Sequence, residues 1–401
     1  MSAFCLFLSW YTQSRLAYFI CALLFSILIV SYILFRLQIN NIECLRKSGA
    51  TASEDDVLDV GITLANSGFF SEDSLSISDS FPTDISSSTK HVFVGMVGKG
   101  AVVNFNYKGY CQKRGVYTLG PVIVGKNDFF GLFRKERRFY PPSKLIVFPR
   151  VFKVGFFPLG LRSSMPRYGR MVSRRSGEYE EFQGIREYVK EDGLRKIHWP
   201  LSAKHEKLMV RHFEQSSSYM GSILLDLKEA DNIGMGKDTT FEYAVKISAS
   251  VSDYLIQKGG NVQLLAYGDE PVLTGFGQSK EHHTRILETL AELEPEGQLD
   301  FPAALTRLEP IIPPSSSLLV FLLDNDTNSQ NMVRSLAAKK DLFVIEVIMS
   351  SSSFVDLAPA KEVLKISYEG PNLIKYYCSW RQGLEGIFSQ SSTSQHETMA
   401  A

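Results

Sequence analysis

Residues 177–213 read GEYEEFQGIREYVKEDGLRKIHWPLSAKHEKLMVRHF. The stretch is dense in charge, yet Phe182, Ile185, Tyr188, Leu194, Ile197, Trp199, Leu208 and Val210 thread through it. A disordered charged run lacks such apolar residues. A plain amphipathic helix has no place for Gly184, Gly193 and Pro200. The pattern predicts a compact loop-and-turn element folded against a neighbour. It also divides the chain, because the periodicity differs on its two sides.

On the C-terminal side, short apolar runs alternate with helical spacing. Ser222 to Asp226 (SILLD), Asn261 to Tyr267 (NVQLLAY), Leu318 to Leu323 (LLVFLL) and Leu342 to Met349 (LFVIEVIM) are read as buried strands. Thr240 to Lys258, His282 to Leu293 and Asn328 to Lys340 are read as helices. Repeated βα units predict an α/β domain over 218–390, with a parallel sheet covered on both faces. Ligands of such sheets bind at the carboxyl ends of the strands, where Asp226 and Asp324 stand. No GxGxxG or GxxxxGK[ST] follows a strand, so no nucleotide is expected and the cofactor expectation is none.

On the N-terminal side the period is two. Val57 to Leu64, 91–97, 101–110, 115–125 and 143–149 are rich in Val, Tyr, Phe and Thr, with turn residues between them. They predict an all-β sandwich over 50–155. Asp128 to Phe133 (DFFGLF) reads as a hairpin corner pinned by aromatics. Residues 156–217 hold the linker and the charged stretch. The linker, Pro158 to Ser176, carries Arg167, Arg170, Arg174 and Arg175. Residues 391–401 are polar and read as a disordered tail.

Leu16 to Leu37 reads LAYFICALLFSILIVSYILFRL. About 20 uncharged residues suffice to cross about 30 Å of hydrocarbon as a helix. A signal peptide has a shorter core followed by small residues, whereas Arg36, Gln38, Asn40 and Asn41 follow here. Residues 1–40 are therefore expected to be a membrane anchor with a transmembrane helix at 16–37. Ala3 to Trp10 is too short to span alone, so the anchor is single-pass or a truncated two-pass. Arg15 precedes the span, and Arg36, Arg46 and Lys47 follow it. That bias places the soluble domains in the cytoplasm, at the inner membrane, with the bilayer as one partner.

Composition narrows the function classes. Formal net charge is zero over 401 residues, and no basic excess favours nucleic acid as a partner. The five cysteines are scattered without a CxxC, against a disulfide framework or zinc site. Asp192, His198 (or His205) and Ser202 have the residue types of a hydrolytic triad, but no GxSxG elbow surrounds the serine. His198, His205 and His212 are spaced seven apart, about 10 Å on a helix and too far for one metal. The structural alternative has Arg186 and Arg195 bonded to carboxylates and Trp199 buried between domains.

The stretch also resembles a family. It is similar to the bacterial family called domain of unknown function 58, whose signature runs approximately GExEEFxxLREYxxGDxxRxIxWxxSAxxxxLxVRxxE. This chain matches at Gly177, Glu178, Glu180, Glu181, Phe182, Arg186, Glu187, Tyr188, Asp192, Arg195, Ile197, Trp199, Ser202, Ala203, Leu208, Val210, Arg211 and Glu214. It departs at Glu191, where the family has glycine, and at Pro200, where the family has a basic residue. The resemblance implies N-terminal membrane helices, a β-sandwich and a von Willebrand factor A-like domain. It makes Glu181, Phe182, Arg186, Tyr188, Asp192, Arg195, Trp199 and Ser202 a family signature or partner-docking set. It also implies a non-enzymatic scaffold or adaptor whose partner is a MoxR-type AAA+ ATPase, acting in assembly or maturation of protein or envelope complexes. The alternatives are a hydrolase or transferase around Asp192, His198 and Ser202, and an extracellular adhesion module, which conflicts with the charge bias.

The metal site that the resemblance implies uses Asp-x-Ser-x-Ser, a later Thr and a later Asp. Here Asp226 to Ala230 reads DLKEA, and Leu299 stands at the threonine position. Lys228 at the first serine position repels a divalent cation. No metal is expected, and Asp226 and Asp324 are remnants of a degenerate site.

Overall fold

The computed structural model describes residues 15–37, 41–83, 89–127, 133–141, 144–158, 180–187, 199–205, 207–215, 219–356, 366–370, 372–381 and 384–388. Ala3 to Trp10, the corner residues 128–132, nearly all of the linker and the tail 391–401 lie outside the described residues. The chain forms two compact units, Met1–Arg150 with Leu287–Leu293, and Val151–Ile286 with Glu294–Ala401.

The first unit opens with helix α1, Arg15–Leu37, 23 residues long. Among the described residues no helix is long and apolar enough to cross a membrane.

The β region follows as β1 Ile42–Lys47, β2 Thr51–Ser53, β3 Val57–Asn66, β4 Glu72–Ser80, β5 Thr89–Val97, β6 Val102–Tyr110, β7 Gly115–Thr118, β8 Val122–Asn127, β9 Arg134–Phe139 and β10 Lys144–Phe148. One sheet has the order β1-β3-β6 and a second the order β5-β4-β8-β9, both antiparallel throughout. Ile42, Cys44, Ile62 and Leu64 of the first meet Leu75, Ile77, Val122 and Val124 of the second in one buried core. That makes a sandwich-like packing. A third sheet, β2-β10-β7, covers a smaller core of Val60, Phe81, Cys111, Leu119, Leu145 and Val147. The first strand begins at Ile42, before the expected start at 50. The single run expected at 115–125 is two strands in different sheets, parted at Leu119–Pro121.

A buried ion pair ties the two larger sheets together. Arg46 of β1 meets Asp79 of β4, both side chains almost fully enclosed. Arg46 Nε donates to Asp79 Oδ2 at 3.0 Å, and the Tyr107 hydroxyl donates to the same oxygen at 2.6 Å. Arg46 Nη2 also donates to the Gly120 carbonyl at 2.6 Å.

The second unit carries an antiparallel hairpin of β11 Glu180–Glu187 and β12 Met209–Gln215, with helix α2 Trp199–His205 between them. A seven-stranded sheet follows, built from β13 Met220–Asp226, β16 Asn261–Tyr267, β17 Pro271–Leu273, β18 Ser317–Leu323, β19 Phe343–Met349, β20 Ile366–Tyr368 and β21 Leu373–Cys378. The short pair β14 Gly234–Met235 and β15 Asp238–Thr239 stands apart from it. The sheet order is β17-β16-β13-β18-β19-β21-β20. Its five inner strands are parallel, and both edge strands are antiparallel.

Helices α3 Thr240–Gln257, α4 Lys280–Glu292, α5 Phe301–Leu308 and α6 Thr327–Lys340 connect the strands. Leu224, Val320 and Val344 share a core with Phe301, Leu305, Val333 and Leu336, so α5 and α6 cover one face. Ile223 and Leu225 alternate with Leu224 and point to the other face, and α3 packs against β13 and β16. Burial on both faces is why these strands read as unbroken apolar runs. From β13 the chain goes to β16 on one side and then to β18 on the other. Such a reversal opens a crevice at the carboxyl ends of the strands.

Candidate functional site

The crevice lies where β13 and β18 end. It is lined by residues including Asp226, Lys228, Asp231, Asn232, Phe241, Phe321 and Asp326. Residues 227–229 are fixed by a two-way exchange with Gly297. The Gly297 amide donates to the Leu227 carbonyl at 2.8 Å, and the Glu229 amide donates to the Gly297 carbonyl at 2.9 Å. A Cβ at position 297 would lie 2.9 Å from both Leu227 O and Gly268 Cα, so this close approach admits only glycine. Thr240 Oγ1 donates to the Asp231 carbonyl at 2.9 Å and accepts from the Ile233 amide at 3.0 Å, holding the loop that follows.

The loop so held aims Lys228 at acidic groups. Its Nζ lies 2.7 Å from Asp300 Oδ1 and 4.0 Å from Asp231 Oδ2. The Asp300 hydrogen bond raises the pKa of Lys228. Its own backbone amide donates to Asp226 Oδ1 at 3.0 Å. Burial pushes the Asp226 carboxyl up to about 7, and the neighbouring Asp231 carboxylate adds to the rise. One ammonium therefore serves three carboxyl groups. The arrangement holds a cation, and the chain supplies that cation from position 228. Among the described residues no three His, Cys, Asp or Glu side chains converge to hold a metal.

Asp324, expected beside Asp226, is exposed and engaged elsewhere. Its Oδ1 accepts from the Ser351 amide at 3.2 Å and from the Ser351 hydroxyl. Asp326, two residues on, lines the crevice and accepts from the Ser329 amide at 3.1 Å as the N-cap of α6. Asp231, Asp300 and Asp326 belong to no sequence motif, and Asp300 follows Leu299 at the threonine position. Asp300 immediately before an apolar helix is an N-terminal signal that could have marked it.

The signature segment divides between β11 and α2. By register Glu181 faces Glu214, Phe182 faces Phe213 and Arg186 faces Val210. The ladder shifts between Phe182 and Gly184, so Gly184 sits at a β-bulge. Tyr188, Asp192, Arg195 and His198 lie outside the described residues. His205 ends a helix and His212 sits in a strand, so no continuous helix carries the seven-residue spacing.

Ser202 is buried, its hydroxyl accepting from the Met209 amide at 2.8 Å and facing the Met209 carbonyl at 3.4 Å. That couples α2 to the start of β12. Trp199, expected to be buried between domains, is 65% exposed. It opens α2, and side chains there lean toward the helix N-terminus, beyond the first turn.

Comparison with solved structures finds only slight likeness. A CARDB domain from Pyrococcus furiosus is 10% identical with a TM-score of 0.19, over 26% of this chain and 86% of that one. Proximal thread matrix protein 1 from the mussel byssus is 11% identical with a TM-score of 0.26, over 35% and 39%. A GH20 exo-β-N-acetylglucosaminidase from Vibrio harveyi is 8% identical with a TM-score of 0.18, over 90% and 66%. Scores this low carry no weight for fold or function. No curated protein matches the chain. Residues 184–353, from within β11 to just beyond β19, match the profile of a family described as "Protein of unknown function DUF58", a match that supports the DUF58 family for this chain.

Proposed function

We propose that the protein is a membrane-anchored, non-enzymatic scaffold or adaptor with a MoxR-type AAA+ ATPase as its partner. The α/β unit is read as von Willebrand factor A-like. The observation that carries the reading is Lys228, whose ammonium sits 2.7 Å from Asp300 at the carboxyl end of the sheet. An ammonium already seated against these carboxylates weighs against a catalytic metal there. Ser202 supports the same reading, since its hydroxyl is engaged by the main chain of Met209.

Helix α1 supports the anchor. The uncharged run before Arg36 is what the proposal rests on. Leu16, Phe19, Ile29, Val30 and Ile33 turn outward from it. The bilayer is the inner membrane, with the soluble units in the cytoplasm.

Crosslinking in cells followed by purification in detergent tests the partner. The expected outcome is recovery of an AAA+ ATPase with the parent chain, and recovery of none rejects the adaptor reading.

A further inference from the structure

We infer that the end of the sandwich carrying the turns after β3 and β5 rests on the bilayer, with Phe69 and Phe70 seated among the lipid headgroups and Lys99 beside the lipid phosphates. The inference rests on the anchored reading of α1 and adds a second contact to it.

Strand register defines that end. Ile42 at the start of β1 pairs with Asn66 at the end of β3, and Ala65 pairs with Val102 at the start of β6. In the other sheet Glu72, which opens β4, pairs with Val97, which closes β5, and Asn127 at the end of β8 pairs with Arg134. The side chain of Asn66 fastens the two sheets together here. Its Nδ2 reaches the Phe70 carbonyl at 2.8 Å and the Val97 and Gly98 carbonyls at 3.2 Å each. The turns are therefore a fixed platform.

The same end is where the chain arrives from α1. The Ser67 amide and hydroxyl both donate to the Asn41 carbonyl, at 3.0 and 2.8 Å. Leu37 closes the helix, and the four residue steps from there to Asn41 reach at most roughly 14 Å. The Tyr32 ring of α1 meets Phe133, the residue before β9, at 5.7 Å between centroids.

Position and chemistry agree. Phe69 is 80% exposed, Phe70 69% and Met96 67%, three large apolar groups gathered at this end, while Phe93, Leu45 and Val57 are exposed singly along other strands. Lys99 Nζ lies 4.8 Å from the centre of the Phe69 ring, so the cation is carried at the tip beside the aromatic. Aromatic rings at headgroup depth with a neighbouring cation are the pattern of an interfacial contact.

The test uses the full chain reconstituted in bilayers, with and without dibrominated phosphatidylcholine as a quencher. F70W places a new emitter on the platform. V57W places one at the opposite end, since Val57 is exposed and pairs with Tyr110. Trp10, Trp199 and Trp380 give all variants the same background. The added emission of F70W is expected to be lost to the brominated lipid and that of V57W retained. In F70W, a further Lys99→Glu change is expected to weaken the quenching in anionic vesicles and leave it unaltered in zwitterionic ones. Equal quenching of F70W and V57W in chains that resist carbonate extraction overturns the inference and spares the anchor. A parent chain that carbonate extracts from the bilayer overturns both.

Discussion

Lys228 sets the electrostatics of the crevice, and replacing it separates charge from shape. In Lys228→Met the acids at 231 and 300 lose their shared counter-ion, while the backbone amide at 228 still serves Asp226. The expected cost is about 0.5–1 kcal/mol, the worth of a partly exposed pair. Mn²⁺ is expected to raise the melting temperature of the variant and leave that of the parent unmoved, as thermal melts with and without the ion will read.

Asp226 gives a pH signature of definite sign. Its folded-state pKa is raised, so the native state holds the proton that the unfolded chain releases. Stability from this group is fully present below the usual carboxyl range near 4. It falls as pH rises toward 7 and is flat above that. Asp226→Asn should remove this slope, leaving the variant more stable than the parent at pH 8 and nearly equal to it at pH 4. Denaturant titrations at the two values check it.

At the scale of elements, α2 and its strand make the sharpest contrast. Ser202→Ala takes from the half-buried Met209 amide its hydroxyl acceptor, at about 1 kcal/mol. Trp199→Ala removes an exposed ring and should leave the thermal melt unchanged, so any effect it has should appear in partner recovery. Were Ser202 a nucleophile, its alanine variant would lose activity outright while retaining its fold. Between sheets, Asp79→Ala strands the buried Arg46 guanidinium, at about 3–5 kcal/mol in chemical denaturation.

The elements also differ in how legible they were. The inner strands of the α/β sheet announced themselves because both faces are covered. β4 and β9 did not. β4 reads EDSLSISDS, and only Leu75 and Ile77 mark its buried face. Asp79, which looks like a surface acid, is buried because Arg46 lies across from it in the other sheet. β9 reads RKERRF and is an edge strand, where charge discourages pairing with other chains.

For the whole molecule, the proposed anchoring through α1 has a direct test. Deleting residues 15–37 is expected to move the chain from the carbonate-resistant membrane pellet to the supernatant without lowering the melting temperature of the α/β unit. Arg46 shows how tertiary structure revises a charge count. Read along the chain it is a cation flanking the helix, but it is spent on Asp79 inside the sandwich and cannot meet lipid.

The sequence by itself determined the order of the parts: an apolar helix, a period-two β region, a charged signature and alternating βα units. These follow from local periodicity and composition, which a chain carries whether or not it is folded. It also places Lys228 where the resemblance implies a serine of a metal site. Only the tertiary structure decided that Asp231 and Asp300 attend that lysine, that Asp324 turns to Ser351, that Trp199 is exposed, and that Phe69 shares an end of the sandwich with the chain arriving from α1. Each of these depends on which distant segments become neighbours, and strand register and sheet order set that, not spacing along the chain.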